Sequence, residues 1–590
     1  MSIAGADAAG AVETGEPQNL DFRPVPPRKL QPAGYFAGNY SGEHVAGTEF
    51  VIGALFAGAG AAASDVILGL LVGNLLAVLT WAFITAPIAV DTRLTLYAYL
   101  EKIAGRHFLK IYSVVNGVMF LGLAGSMITV SASAVRVFYN SAIPGAPIAP
   151  QTGMFPTDIR FVLIALAVGA VVVALAVLGF KRLAQFAGAV VPWMICIFLV
   201  GALVLYPLLA QATGSALPAV SGDVFWQVLS TQVYQPTPME GAFWSIPNEA
   251  KSFWSIAAFA WVANLAMHGS LGDMTLLRFA KKKSYGWFSA LGMFIGHFVC
   301  WVCAGAMGAG AAYALNTQIG LLDPGAVATQ ALGLAGVIAV IIAGWTTSNP
   351  TLYRAGLAFQ SLNPAWKRTH VTILVGLVTM VLACSPFVFT QLLGYVGWMG
   401  LILSPVGAII VAEHWLFPRT GLRRYWTSYR KSGLNVPAVL AWGAALAIIS
   451  VLYFGAGVHQ FFLLLPAWAT ATIAYLVLAR SFGAAKQYPQ AEIEEETLAM
   501  RKAEEARYLA SGAPIDESGG HTLLWWGLQA IGFLSLAWML VSGAQLLFVD
   551  AAAYPGALAA FRENVIWPSL VFFACAALAV IIRGEKRELS

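Results

Sequence analysis

An all-α protein that crosses a membrane many times is the fold class this sequence predicts, and three observations predict it. Of its 590 residues, 59% are hydrophobic and only 10% charged, whereas soluble domains carry roughly 25% charged residues. Apolar runs of about 20 residues, the length that spans a bilayer as a helix, recur along almost the whole chain. Basic residues gather in every second loop between those runs, the positive-inside pattern. That placement makes the net charge of +5 a statement about a lipid bilayer, and no nucleic-acid partner is expected.

In chain order, residues 1–39 lack an apolar core and read as a disordered cytoplasmic tail without a cleaved signal peptide. Ten helices follow, near 44–62, 66–90, 108–136, 161–179, 184–207, 253–278, 286–314, 326–349, 370–387 and 391–417, forming a core over 40–418. Helices eleven and twelve, near 433–454 and 459–480, occupy 419–480. In 481–521, "AEIEEETLAMRKAEEAR" leads with acidic residues and trails with basic ones at helical spacing. It reads as a charged cytoplasmic linker helix, solvated and stabilised by i,i+4 pairs. A last pair near 522–548 and 565–583 lies in 522–590 and brings the count to about fourteen. The longest outward segment, 208–252, carries Phe225, Trp226, Tyr234, Phe243 and Trp244, expected to pack near the membrane interface.

Loop charge tests this count. With the N-terminus in the cytoplasm, inward loops hold Arg93, Lys102, Arg106 and Lys110; Lys181 and Arg182; Arg278 and Lys281 to Lys283. Arg354, Lys367 and Arg368 follow, then Arg419, Arg423, Arg424, Arg430 and Lys431. Outward loops hold only Arg136, Arg160, Lys251 and Arg562. The alternation never slips by a helix, so a multi-pass protein of the cell (inner) membrane with both termini cytoplasmic is expected. All five cysteines fall in apolar segments, and Cys300 and Cys303 read as small packing residues of a helix.

A chain with so few charges shows its function through the polar groups it keeps within the bilayer. The first helix carries Glu43, His44, Thr48 and Glu49 beside a Gly-interrupted stretch at Ala46–Gly47. The sixth carries Asn264, His268, Gly269, Ser270, Gly272 and Asp273. Paired, Gly-interrupted helices at corresponding places in two halves point to a secondary transporter built from inverted repeats. The eighth, "IIAGWTTSNP", turns polar at its end. A search for HExxH and for G-x-x-x-x-G-K-[ST] finds neither, so no enzyme is expected.

Three segments carry a resemblance. "AGWTTSNPTLYRAGLAFQSLNP" resembles the eighth helix of the nucleobase:cation symporter-1 family, the purine–cytosine permease-like transporters. "GYVGWMGLILSPVGAIIVAEHWL" is similar to that family's tenth helix, and "AFAWVANLAMHGSLGDMTLLRFAKK" looks like its sixth. The likeness spans roughly residues 40 to 480 and implies a LeuT-type 5+5 inverted-repeat bundle, with the last two helices as additions.

The resemblance implies a coupling cation held by Ala343, Thr346 and Thr347 of the eighth helix and by carbonyls of the first near Ala46 and Glu49. Hydroxyl and carbonyl oxygens suit Na⁺; the competing reading is that both threonines bond back to their own helix. It also implies a flat substrate stacked between Trp261 and Phe120. Ala124 stands where some members place an amide. Glu49 should face the pocket as a substrate ligand or protonatable group, since a lipid-facing carboxylate is costly. His268 binds substrate, shuttles a proton or is structural; Asn264 and Asn349 bond substrate edges or tie helices together. Asp273 and Arg278 read as a cytoplasmic-end ion pair, gating or structural, and Glu413 and His414 as interfacial.

The expected activity is cation-coupled symport of a small planar nitrogen heterocycle, with Na⁺ or H⁺ as coupling ion and no cofactor. Transport of an amino acid or other small polar solute on the same fold is the alternative, and a membrane sensor using the 485–520 arm a third reading. Nothing in the sequence speaks to oligomeric state.

Overall fold

The computed structural model describes residues 23–58, 60–177, 180–235, 252–268, 270–363, 365–512 and 522–588. Among them are eleven helices long and apolar enough to cross a bilayer. Three shorter apolar ones, Gly47–Gly58, Phe253–Ala266 and Arg368–Ala383, make fourteen in all. The expectations for Phe243, Trp244 and Lys251, and for the tail up to residue 22, fall outside the described residues.

The first span begins earlier than expected. A helix runs Ala33–His44 behind Pro32, beginning inside the stretch read as disordered tail, because Phe36 and Tyr40, one turn apart, are both buried. Val45 leaves helical geometry (φ −118°, ψ 76°), and a second half runs Gly47–Gly58. Ala63–Thr92 is the second span and ends at Arg93 in the left-handed region, φ 60°. A short helix, Leu96–Ala104, precedes the third span, Arg106–Ala142; the fourth and fifth are Ile159–Val177 and Ala189–Ala212.

The sixth span repeats the device of the first. Phe253–Met267 stops, Ser270 takes φ 66°, and a four-residue turn, Met274–Leu277, resumes. The seventh is Lys283–Ala314. Pro324–Gln360 contains the eighth and differs most from expectation. Gly333, at φ 56° and ψ −135°, turns it sharply, leaving a short outer leg at 324–332 and the spanning leg at 334–360. "IIAGWTTSNP" therefore lies inside the span. Pro350 does not end it: it withdraws only the donor that would meet Thr346 O, while on either side Thr351 Oγ1 donates to Thr347 O at 2.6 Å and Asn349 Nδ2 to Trp345 O at 3.0 Å. Side-chain bonds of this kind let membrane helices tolerate proline. Arg354, expected in a loop, is consequently a helical residue.

The ninth and tenth spans are Arg368–Ala383 and Leu392–Arg419; the eleventh and twelfth are Val436–Gly455 and Leu464–Ala484. Packing displays the repeat that the sequence left implicit. The second span packs on the sixth, the outer half of the first on the seventh, the third along the eighth, and the fourth on the ninth. Exchanging helices one to five for six to ten maps this pattern onto itself.

The final pair, Leu523–Phe548 and Tyr554–Ile582, docks on the fifth span. Trp193 Nε1 donates to Ser569 Oγ at 2.9 Å and Tyr554 OH to Val204 O at 2.7 Å. At the opposite end of the bundle, the segment before the first helix, the loops after the second and sixth spans and the helix Pro489–Ala510 share one face. Val25 N donates to Arg93 O, and Gln31 pairs with Ala280.

Candidate functional site

Both breaks open where the first, sixth, seventh and eighth helices converge. Ala46, just ahead of the outer half of the first helix, leaves its N–H without a helical partner, as at any helix start. Glu49, three residues on, supplies the acceptor: Oε2 receives Ala46 N at 2.7 Å and Oε1 receives Thr48 Oγ1 at 2.9 Å. This is the reach-back half of a capping box. Glu49 is thus buried and already employed by its own helix start, with His297 Nε2 a further 3.1 Å from Oε1.

Gly47 brings the first break onto the eighth span. A Cβ there would lie 3.1 Å from Ala343 O and 3.1 Å from Gly344 Cα, so only glycine permits contact this close without displacement. Gly47 N donates to Thr347 Oγ1 at 3.1 Å, while Thr346 and Thr347 hydroxyls donate to Ala343 O at 3.0 and 3.2 Å. Three oxygens of the eighth helix therefore converge beside Ala46–Gly47. The back-bonding foreseen as the competing reading is present, on the face of the eighth helix that meets the first break.

His44, the last residue of the inner half of the first helix, meets His268 at the break of the sixth. Their Nε2 atoms lie 2.9 Å apart and their rings are stacked with centroids 5.0 Å apart. His44 Nδ1 lies 2.7 Å from Tyr40 O, and His268 Nδ1 lies 2.6 Å from Asp273 Oδ1. Arg354 extends the chain: Nη2 is 3.5 Å from Asp273 Oδ1, and Nη1 is 2.5 Å from Glu43 Oε1. Asp273 thus pairs with His268 and Arg354 in place of the expected Arg278. The tight turn after Ser270 points the carboxylate inward, whereas Arg278 lies over the Phe279 ring.

The seventh span closes the group. His297 sits 4.9 Å, ring to ring, from His44 and hydrogen-bonds Asn264 Oδ1 through Nδ1. Asn264 Nδ2 donates to Asn74 Oδ1 at 3.0 Å, and Asn74 Nδ2 to His297 O at 2.9 Å. Asn264 is therefore a tie between the second, sixth and seventh spans. Asn349 uses Nδ2 on its own helix, but its Oδ1 is buried without a partner, as is Trp345 Nε1 one turn earlier. An unpaired buried acceptor and an unpaired buried donor each cost free energy until something bonds them.

The two rings expected to sandwich a substrate have separate surroundings. Trp261 stands seven residues before His268, about 10 Å along a helix axis. Its Nε1 donates to Thr80 Oγ1 at 3.0 Å, and it packs near Trp398 and Trp468 of the tenth and twelfth spans. Phe120 is buried beside the eighth span, with the Arg354 guanidinium 5.9 Å from its ring centre. Glu413 and His414, expected at the interface, are buried: Tyr425 N donates to Glu413 at 2.7 Å, and Tyr99 OH lies 2.8 Å from His414 Nδ1.

His297 and Arg354 are the site residues that sequence reasoning missed. A histidine directly after the Gly292 and Gly296 pair, in an otherwise apolar run, was the available signal for the first; a Cβ on Gly296 would lie 1.7 Å from His44 O. Arg354 was hidden by ending the eighth helix at its proline.

No protein-family profile matches the chain. The cytosine permease of Escherichia coli strain K12 is 26% identical over 139 residues, as are those of two further strains. The match spans 21% of this chain and about a third (32%) of the length of these curated relatives. Among solved structures, the nucleobase-cation-symport-1 family transporter Mhp1, closed with bromovinylhydantoin bound, has a TM-score of 0.59 at 14% identity. It covers 81% of this chain and 99% of its own. Its inward-facing form scores 0.58 at 16% identity, covering 82% and 98%. A Na⁺-coupled sialic acid symporter in an outward-open, substrate-bound state scores 0.50 at 14% identity, covering 79% and 92%. The likeness shows the LeuT-type fold.

Proposed function

We propose that this chain, with the fold of the nucleobase-cation-symport-1 transporter, is a secondary active transporter for a small planar nitrogen heterocycle, coupled to a cation and working by alternating access. One observation carries the reading: the first and sixth helices both break, the breaks touch through His44 and His268, and the first break rests on the converging oxygens of the eighth. Broken helices of this kind supply backbone groups to substrate and ion at mid-membrane. The unpaired acceptor of Asn349 and donor of Trp345 suit a heterocycle edge bearing both a donor and an acceptor. The basic face, with both termini, lies in the cytoplasm of a cell-membrane protein.

Sodium as co-transported cargo would sit among Ala343 O, Thr346 Oγ1, Thr347 Oγ1 and the first-helix backbone at Ala46. Hydrogen-bond accounting favours a proton as a second coupling ion. Tyr40 O only accepts, so His44 Nδ1 carries a proton. The contacts His44–His268 and His268–Asp273 each need one more. Two neutral histidines with an ionised Asp273 supply two protons, and the three bonds require three. Labelled cytosine uptake into proteoliposomes under an imposed Na⁺ gradient, a pH gradient, or neither tests the coupling. Uptake indifferent to both gradients would sink it, and His44→Gln should abolish only the pH-driven part.

The separate surroundings of Trp261 and Phe120, with the Glu43–Arg354 pair near Phe120, favour a second substrate reading: an amino acid or other small polar solute. Competition of cytosine uptake by nucleobases against amino acids separates the two.

A further inference from the structure

The helix Pro489–Ala510 was expected to be solvated and self-stabilised, yet its charges reach outward onto the basic face. Glu505 holds Arg93 with both carboxylate oxygens, Nε–Oε2 at 2.9 Å. The Arg93 side chain is 0% exposed and also donates to Arg278 O at 2.8 Å and Ala280 O at 2.6 Å. Lys502 meets Asp91 at 2.9 Å, Arg501 donates to Asp91 O at 2.7 Å, and Glu494 pairs with Lys102. Tyr508 and Leu509 pack on Val25, Leu30 and Phe279. Its other flank borders a cavity of about 370 Å³ between Arg423, Arg424 and Glu494, Glu495.

Besides Lys102 of the short helix Leu96–Ala104, the arm therefore grips three things at once. They are the segment that leads into the inner half of the first helix, the end of the second span, and the chain after the break of the sixth. Those are the parts that must separate for a path to open from the site to the basic face. We propose that the arm is a lock on cytoplasmic opening, with Arg93–Glu505 as its bolt, and that releasing it lets the inner half of the first helix swing out. A bidentate pair to a buried guanidinium is the strong form of an ion pair, and the cavity behind the arm gives it somewhere to go. The lock rests on the transporter reading only for what it regulates.

Hydrogen–deuterium exchange on the full-length protein in bilayers tests it without any substrate. In Glu505→Ala, exchange across Ala33–His44 and 274–280 should quicken about tenfold, the factor for losing roughly 1.4 kcal/mol. The outer half, Gly47–Gly58, and the third and eighth helices should stay protected. Unchanged exchange in Ala33–His44 while the arm itself exchanges freely overturns the lock. Should Glu505→Ala loosen the whole bundle, the half-buried pair decides: Glu494→Lys should quicken the same segments, and adding Lys102→Glu should restore protection. No restoration counts against the proposal. Cytosine counterflow provides the separate readout: quickened exchange with no flux leaves the lock standing and counts against the nucleobase substrate.

Discussion

Thr347 Oγ1 has two partners, receiving Gly47 N–H and donating to Ala343 O. Thr347→Ala removes both, together with a candidate cation oxygen, and should raise the Na⁺ concentration for half-maximal effect about tenfold, the loss of one charge-assisted contact. Thr347→Ser keeps the oxygen and should behave as wild type; a sodium titration of thermal stability reads both. Glu49 gives an opposite expectation to the role of substrate ligand or protonatable group first assigned to it. Because its two oxygens serve Ala46 N and Thr48 Oγ1, Glu49→Gln keeps one acceptor for the helix start and should preserve uptake. Glu49→Ala should cost about 1 kcal/mol, the usual worth of a cap. Loss of uptake in the glutamine variant at unchanged stability would return Glu49 to the role of substrate ligand or protonatable group.

Between helices, glycine sets the spacing at the site. Gly296→Ala places a Cβ 1.7 Å from His44 O, so the seventh span must back away from the first. A cost of about 1–3 kcal/mol follows from overpacking. Gly443→Ala, where nothing lies within 4 Å, should be neutral or gain up to about 1 kcal/mol from helix propensity. Equal melting temperatures for the two variants would refute the close-approach argument. The same scale shows what could be read from sequence. Spans and their number were legible, because run length and loop charge are local signals. The turn at Gly333 was not, since a glycine inside an apolar run looks like any helical glycine. Pro350 reads as a terminator in the sequence, because the side-chain bonds of Asn349 and Thr351 to the carbonyls flanking the one it leaves open are visible only in three dimensions. His44 and His268 are 224 residues apart, and no local pattern announces such a pair.

For the molecule as a whole, the last two spans lean on the fifth through Trp193–Ser569 and Tyr554–Val204, away from both breaks. Removing residues 522–590 should lower thermal stability while leaving substrate binding intact; loss of binding at retained folding would give the pair a functional share. The arm lies just upstream in the chain, and its docking has a consequence in time. Arg93 and Lys102 leave the ribosome some four hundred residues before Glu505 and Glu494. Throughout the insertion of spans three to twelve, those cations stand unpaired and available to hold the chain's orientation against the translocating machinery. Only when synthesis passes residue 505 do the same charges acquire carboxylates and become a fastening. If the proposed topology and lock both hold, the residues that tell the nascent chain which way to face are reused, once that question is closed, to shut the finished protein.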